Sequence, residues 1–92
     1  MNWKVDLTAK AVKQRARLPE KVQAILDRLT KQMEVSGPIR KDWKNFGKLI
    51  GSNYHCHLKN GRPTYVACWT VVDKKIQIIE VYYAGTHENA PY

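Results

Sequence analysis

Three histidines and a tyrosine carry the most versatile chemistry in this chain. His55 and His57 stand two residues apart in Tyr54-His55-Cys56-His57-Leu58-Lys59, and His87 and Tyr92 lie in the C-terminal tail. Imidazole gives or takes a proton near neutral pH, so histidines suit general acid–base work. Side chains alternate faces along a strand, which puts His55, His57 and Lys59 on one face and Tyr54, Cys56 and Leu58 on the other. Arg62 follows just beyond. Proton-transfer groups beside Lys59 and Arg62 fit a reaction centred on phosphate. Two other readings stand beside this one. The histidines could be solvated surface groups. They could also form a metal site of His55, His57 and His87, although no carboxylate or second cysteine completes a recognisable ligand spacing.

The charge balance points the same way. The 92 residues carry 16 Lys and Arg against 8 Asp and Glu, a formal charge of +8. Such a field attracts polyanions, without separating DNA from RNA or from an acidic protein. The length suits one domain, residues 1–92. Cys56 and Cys68 are too few for a disulfide framework and read as small packing residues inside strands. No stretch resembles a signal peptide or a membrane span, which points to a cytoplasmic protein with reduced thiols and no membrane partner. Nothing in the sequence calls for a cofactor.

The elements that must position these residues follow from periodicity. Trp3, Val5 and Leu7 alternate with Lys4 and Asp6, which predicts a first strand. Thr8 is a suitable N-cap for a basic helix to about Arg17 that carries Lys10, Lys13, Arg15 and Arg17. Leu18-Pro19-Glu20 opens a second helix, and Val22, Ile25, Leu26, Leu29 and Met33 form its apolar stripe. Ser36-Gly37-Pro38 ends it. Residues 39–52 read as a loop with Arg40, Lys41, Lys44 and Lys48. Trp43 and Phe46 lie among these cations. They either stack bases or pin the loop to the core.

A three-stranded antiparallel meander completes the chain: Tyr54–Lys59, Thr64–Val72, and about Lys75–Ala84. The expected fold class is α+β, in the order β-α-α-β-β-β. The N-terminal strand and helical hairpin would pack on one face of an antiparallel sheet. Asn60-Gly61 predicts a two-residue turn, placing His57 opposite Thr64 and His55 opposite Val66. A second such turn at Asp73-Lys74 would pair Trp69 with Ile78 and Ala67 with Glu80. Leu58, Tyr65, Trp69, Ile76 and Ile78 make the more apolar face, the one expected under the helices. Glu80 falls on a face that reads as buried, where a helix arginine could pair with it.

The order of these elements resembles the RelE/ParE superfamily of bacterial toxins over essentially the whole chain. The stretches that carry the resemblance are Asn53-Tyr54-His55-Cys56-His57-Leu58-Lys59-Asn60-Gly61-Arg62, the approach Phe46-Gly47-Lys48-Leu49-Ile50-Gly51, and the tail from Tyr83 through Gly85-Thr86-His87 to Tyr92. It implies a toxin of a toxin–antitoxin pair. RelE-like members cut mRNA in the ribosomal A site without a metal: the 2′-hydroxyl attacks the adjacent phosphate and leaves a 2′,3′-cyclic phosphate. The family's two lysines on the first meander strand fall on His55 and His57, its tail arginine on His87, and its tail tyrosine on Tyr92. Its arginine early in the second meander strand has no counterpart at Thr64 or Val66, and Arg62 lies nearer the turn. Histidines in place of permanent cations favour proton transfer over fixed stabilisation of phosphate charge.

The resulting assignment has His55 or His57 as general base, Arg62 and Lys59 stabilising the transition state, and His87 or Tyr92 protonating the leaving 5′-oxygen. Lys41, Lys44, Lys48 and Lys59 would bind RNA. The expected partners are mRNA, the ribosome and a cognate antitoxin, which would be acidic and amphipathic. The alternatives are a ParE-like protein that inhibits DNA gyrase by binding it, and a degenerate toxin that binds only its antitoxin.

Overall fold

A computed structural model describes residues 2–92. Strand β1 (Lys4–Leu7) leads into helices α1 (Ala9–Ala16) and α2 (Glu20–Ser36). Strands β2 (Gly47–Lys48), β3 (Asn53–Lys59), β4 (Tyr65–Asp73) and β5 (Ile78–Thr86) follow, and a short 3-10 turn (His87–Asn89) opens the tail. The class is α+β, as the sequence predicts. The five strands form one sheet in the order β1-β5-β4-β3-β2.

Two features depart from the expected sheet. β1 does not lie on a face: it is an edge strand, paired parallel to β5 with Val5 beside Ile79, so the sheet is mixed. Within the stretch expected to be a loop, Gly47 and Lys48 pair antiparallel with His55 and Tyr54 and supply the opposite edge. A two-residue strand shows no alternation from which it could be read.

The helices form where the sequence places them. The Thr8 hydroxyl accepts from the Ala11 N–H at 3.0 Å and caps α1. Gly37 ends α2 at φ 87°, the left-handed region. Val22, Leu26, Leu29 and Met33 of α2 and Ala11 of α1 are buried against Cys56, Leu58, Ala67, Trp69, Ile79, Val81 and Ala84 of the sheet. Each large aliphatic buried this way contributes about 1.5–3 kcal/mol. Arg15 ties the two helices together through Nε and a terminal nitrogen, 2.8 and 2.6 Å from the two Asp27 oxygens.

Trp43 and Phe46 pin the 39–52 segment to the core. Phe46, Tyr54 and Trp69 stack with centroids 5.9 to 6.3 Å apart. The Trp43 indole donates to Gln32 at 2.7 Å, and Arg28 lies over its ring. Their rings are committed to the fold rather than offered to bases.

Both hairpin turns are longer than two residues, and the registers shift accordingly. His57 faces Val66, not Thr64, and His55 faces Cys68, not Val66. In the turn Asn60–Thr64, Pro63 has no N–H for a ladder, and Thr64 Oγ1 instead closes the loop onto Gly61. At the other turn the Asp73 carboxylate accepts from the Lys75 and Ile76 N–H groups at 2.8 and 3.0 Å, which holds the chain in a wider bend. Trp69 therefore faces Val81, and a further slip of one residue between Cys68 and Trp69 sets Ala67 opposite Ala84. Ile76 is exposed in that bend, and Ile79 takes the core position expected of Ile78. Glu80 is half-buried on the face away from the helices, and Arg15, the helix arginine with an ion pair, holds Asp27 instead.

Candidate active site

The face of the sheet away from the helices is built by alternation and by register shifts, one of which, between His57 and Lys59, sets Lys59 opposite Tyr65 and breaks the alternation expected to keep Lys59 with the histidines. Val66 and Cys68 of β4 point there, as do His55 and His57 of β3. Between Cys68 and Trp69 the register with β5 slips: Cys68 faces Tyr83 and Trp69 faces Val81, so Tyr82 is the extra residue. The bulge lets Tyr82 and Tyr83 both join Val66 and Cys68 on this face, while Val81 and Ala84 stay in the helix-side core. Gln14 of α1 accepts from the Ala84 N–H at 3.0 Å just past the bulge.

The tail then folds back over this face. The His87 N–H donates to the Thr64 carbonyl at 2.8 Å, the 3-10 turn reverses the chain, and Ala90 packs on the Val66–Cys68–Tyr83 cluster. Tyr83 donates its hydroxyl to the Thr86 carbonyl at 2.6 Å, which fixes the root of the turn. This brings four rings together. Tyr92 stacks on His55 with centroids 4.5 Å apart, His87 meets His57 edge-on at 5.5 Å, and His87 meets Tyr92 edge-on at 5.9 Å.

The two strand histidines have different surroundings. His55 lies between Tyr92 and the backbone of β2, and a Cβ on Gly47 would stand 2.9 Å from its Nε2. Only glycine admits the imidazole there. Its Nδ1 is buried with no hydrogen-bond partner. Burial pushes the His55 pKa below its ordinary value, and positive charge on His57 or His87 pushes it the same way. His57 is held instead by a neighbour: the Asn60 amide oxygen lies 2.6 Å from its Nδ1. An oxygen there accepts, so Nδ1 carries the hydrogen, and it is the neutral form of this tautomer that has its lone pair on Nε2. Asn60 reads from sequence only as a turn residue. Its second task depends on the longer turn, which the sequence does not announce.

His57 and His87 line a cleft of ≈ 600 Å³ with Arg62, Thr64, Thr86 and Glu88. Lys44 and Lys59 line a second cleft that also includes His57. Lys48 lines a groove around Tyr54 and Pro38, away from His57, and Lys41 is exposed on the connection. The structure thus gathers His55, His57, His87, Tyr92 and Arg62 and spreads the four lysines more widely. Burial raises the Tyr92 hydroxyl above its ordinary pKa. Burial also lifts both cysteine thiols to about 12, which keeps them protonated packing groups. Among the described residues no three His, Cys, Asp or Glu side chains converge as a metal site, and no helix is long and apolar enough to cross a membrane.

The five-stranded sheet thus carries a helical hairpin on one face and the folded-back tail on the other, and the whole arrangement has counterparts among solved structures. The archaeal RelE–RelB complex from Pyrococcus horikoshii OT3 superposes with a TM-score of 0.73 at 19% identity, covering 98% of this chain and 100% of that one. A mutant of the E. coli toxin RelE in its free state gives 0.72 at 22% identity, covering 96% and 86%. The RelBE2 toxin–antitoxin complex of Mycobacterium tuberculosis gives 0.66 at 13%, covering 95% and 100%. No family model matches the sequence, and no curated protein matches it. At these identities the likeness is one of fold: the chain shares the fold of the RelE toxin structures over nearly its whole length.

Proposed function

We propose that this chain, acting as one domain in the cytoplasm, is a RelE-like toxin that cuts mRNA in the ribosomal A site without a metal. The observation that carries the reading is the His57–His87 pair, T-shaped with centroids 5.5 Å apart on a cleft that also holds Arg62. Two imidazoles so placed can serve both ends of one phosphoryl transfer. His57 Nε2 takes the proton of the 2′-hydroxyl as its oxygen attacks the adjacent phosphorus. Arg62 stabilises the charge that develops on the phosphate oxygens. His87 gives a proton to the departing 5′-oxygen, leaving a 2′,3′-cyclic phosphate. Asn60 holds His57 in the tautomer this requires, and Tyr92 seats His55 beneath the pair. Each proton-transfer group contributes about 10²–10⁴-fold.

The fold likeness supports a toxin, and three of the similar structures are complexes, two of them described as toxin–antitoxin complexes. A cognate antitoxin, acidic enough to cover a chain of charge +8, follows from the same reading. The experiment is cleavage of a defined mRNA on programmed ribosomes, mapped by primer extension, with the 3′ end tested for a cyclic phosphate. Cuts that persist at full rate in a variant lacking His55, His57 and His87 would remove this chemistry.

A further inference from the structure

His57 belongs to two clefts. The second, of ≈ 590 Å³, runs from His57 and Asn60 toward α2. Its α2 wall is Lys21, Ile25, Arg28 and Gln32. Steps of four, three and four residues put these on one helix face, beside the buried Val22–Leu26–Leu29–Met33 stripe. Lys44 and Lys59 stand on the other side, and Asp42 is the one acid on the rim. Arg28 is steadied 5.2 Å over the Trp43 ring, and that ring is fixed by its bond to Gln32. Among the described residues the ion pairs are Lys4–Asp6 and Arg15–Asp27, so all four groove cations are unpaired.

The cleft shared by His57 and His87 holds one permanent cation, Arg62. A strand that reacts there has further phosphates to place on either side. We propose that the Lys21–Arg28–Lys44–Lys59 groove seats the backbone of single-stranded RNA next to the reacting phosphate. This extends the nuclease reading and rests on it for the continuity at His57. The groove recognises phosphate rather than bases, because its fixed aromatic, Trp43, already carries Arg28 on one face. An acidic protein segment is the competing occupant. Four cations against the single acid Asp42 favour a ligand with a charge on every repeating unit over an amphipathic helix.

The test measures binding, not cleavage. The probe is a 2′-O-methyl RNA oligonucleotide, which lacks the attacking hydroxyl, followed by fluorescence anisotropy over a salt series from about 50 to 200 mM. Lys21→Ala/Lys44→Ala removes two groove cations and leaves Arg28 on Trp43. The slope of log K against log salt should become shallower by about 1.4, at about 0.7 per lost phosphate contact on a single strand. The charge-matched control, Lys74→Ala/Lys75→Ala, lies in the β4–β5 turn at the far end of the sheet and should leave the slope nearly unchanged. Equal slope changes in the two variants, or no binding by the parent protein at the lowest salt, overturn the proposal. So does a polyglutamate peptide that competes as strongly as RNA for the same lysines. Failure here with intact ribosomal cleavage condemns the groove alone, whereas loss of ribosomal cleavage in the parent protein condemns the nuclease reading.

Discussion

The two faces of the sheet are held in different ways. On the helix side, α1 and α2 cover Leu58, Ala67, Trp69, Ile79 and Val81, and the cluster is continuous with four fully buried side chains of α2. On the other side, Val66, Cys68 and Tyr83 are covered by Tyr82 and a few residues of the tail. The first face has its stability distributed over many large contacts. The second depends on one short segment, and that segment carries His87 and Tyr92. A site assembled by a lightly held tail opens at a lower free energy than the core does. The histidines and the tail should therefore govern activity, while the helix-side residues govern unfolding.

The sharpest way to break this contrast is to remove one ring from each partner of the His57–His87 pair. His57→Ala and His87→Ala should each lower ribosome-dependent cleavage by about 10²–10⁴-fold. Their denaturant midpoints should stay close to that of the parent, because both side chains stand outside the helix-side core. If either variant unfolds as readily as a core variant, the division of labour between the faces is wrong.

The converse variant is Leu29→Ala. Leu29 is fully buried between α2 and the sheet, and its truncation should cost about 2–5 kcal/mol in urea unfolding. Cleavage measured well below the midpoint should change little. A smaller and more pointed effect is expected of Gly47→Ala. The new Cβ would stand 2.9 Å from His55 Nε2, so the imidazole or β2 must move, at about 1–3 kcal/mol. A shift of His55 passes to Tyr92, stacked on it at 4.5 Å. Reduced cleavage with a modest loss of stability is the expected pattern, and unchanged cleavage would separate His55 from the working site.

How much of this was legible beforehand differs by face as well. The helix side follows from periodicity: the α2 stripe, the Thr8 cap and the Gly37 stop are local signals, and each appears where the sequence puts it. Alternation also placed His55 and His57 together on the free face. The registers were not legible, because the side chains of Asp73 and Thr64 widen turns that backbone preference alone would make tight. Nor was the Tyr82 bulge, since an extra residue leaves no mark in a run of Val-Tyr-Tyr-Ala. Most of the site geometry arises from these two unreadable features and from the return of the tail. The Asn60 contact needs the wide turn, and the tail's apolar seat needs both tyrosines on one face. The groove on α2 was hidden for another reason. Lys21 and Arg28 look like ordinary solvated charges until β3 is seen beside them.

The smallest expected effect tests whether His55 sits on the free face as a half-buried group whose pKa is lowered by its surroundings. Its pKa is depressed in the folded protein, first by burial and then by His57 and His87. In the unfolded chain it titrates near 6.5. Below that value the unfolded state binds the proton more readily than the folded state does, so stability falls as pH drops from above 6.5 toward the folded pKa. Above 6.5 the contribution is fully present and flat. The charged or titratable groups around His55 are His57 on its own strand, Tyr92 and His87 from the tail and Cys68 on β4, while β2 presents Gly47. Burial and the neighbouring His57 and His87 all act against the protonated form of His55. Urea midpoints should therefore decline between pH 7.5 and pH 5, and His55→Gln should flatten the part of that decline due to His55. A slope equal to the parent's in His55→Gln would show that His55 contributes nothing to the pH dependence and leave the His55–Tyr92 stack as packing alone.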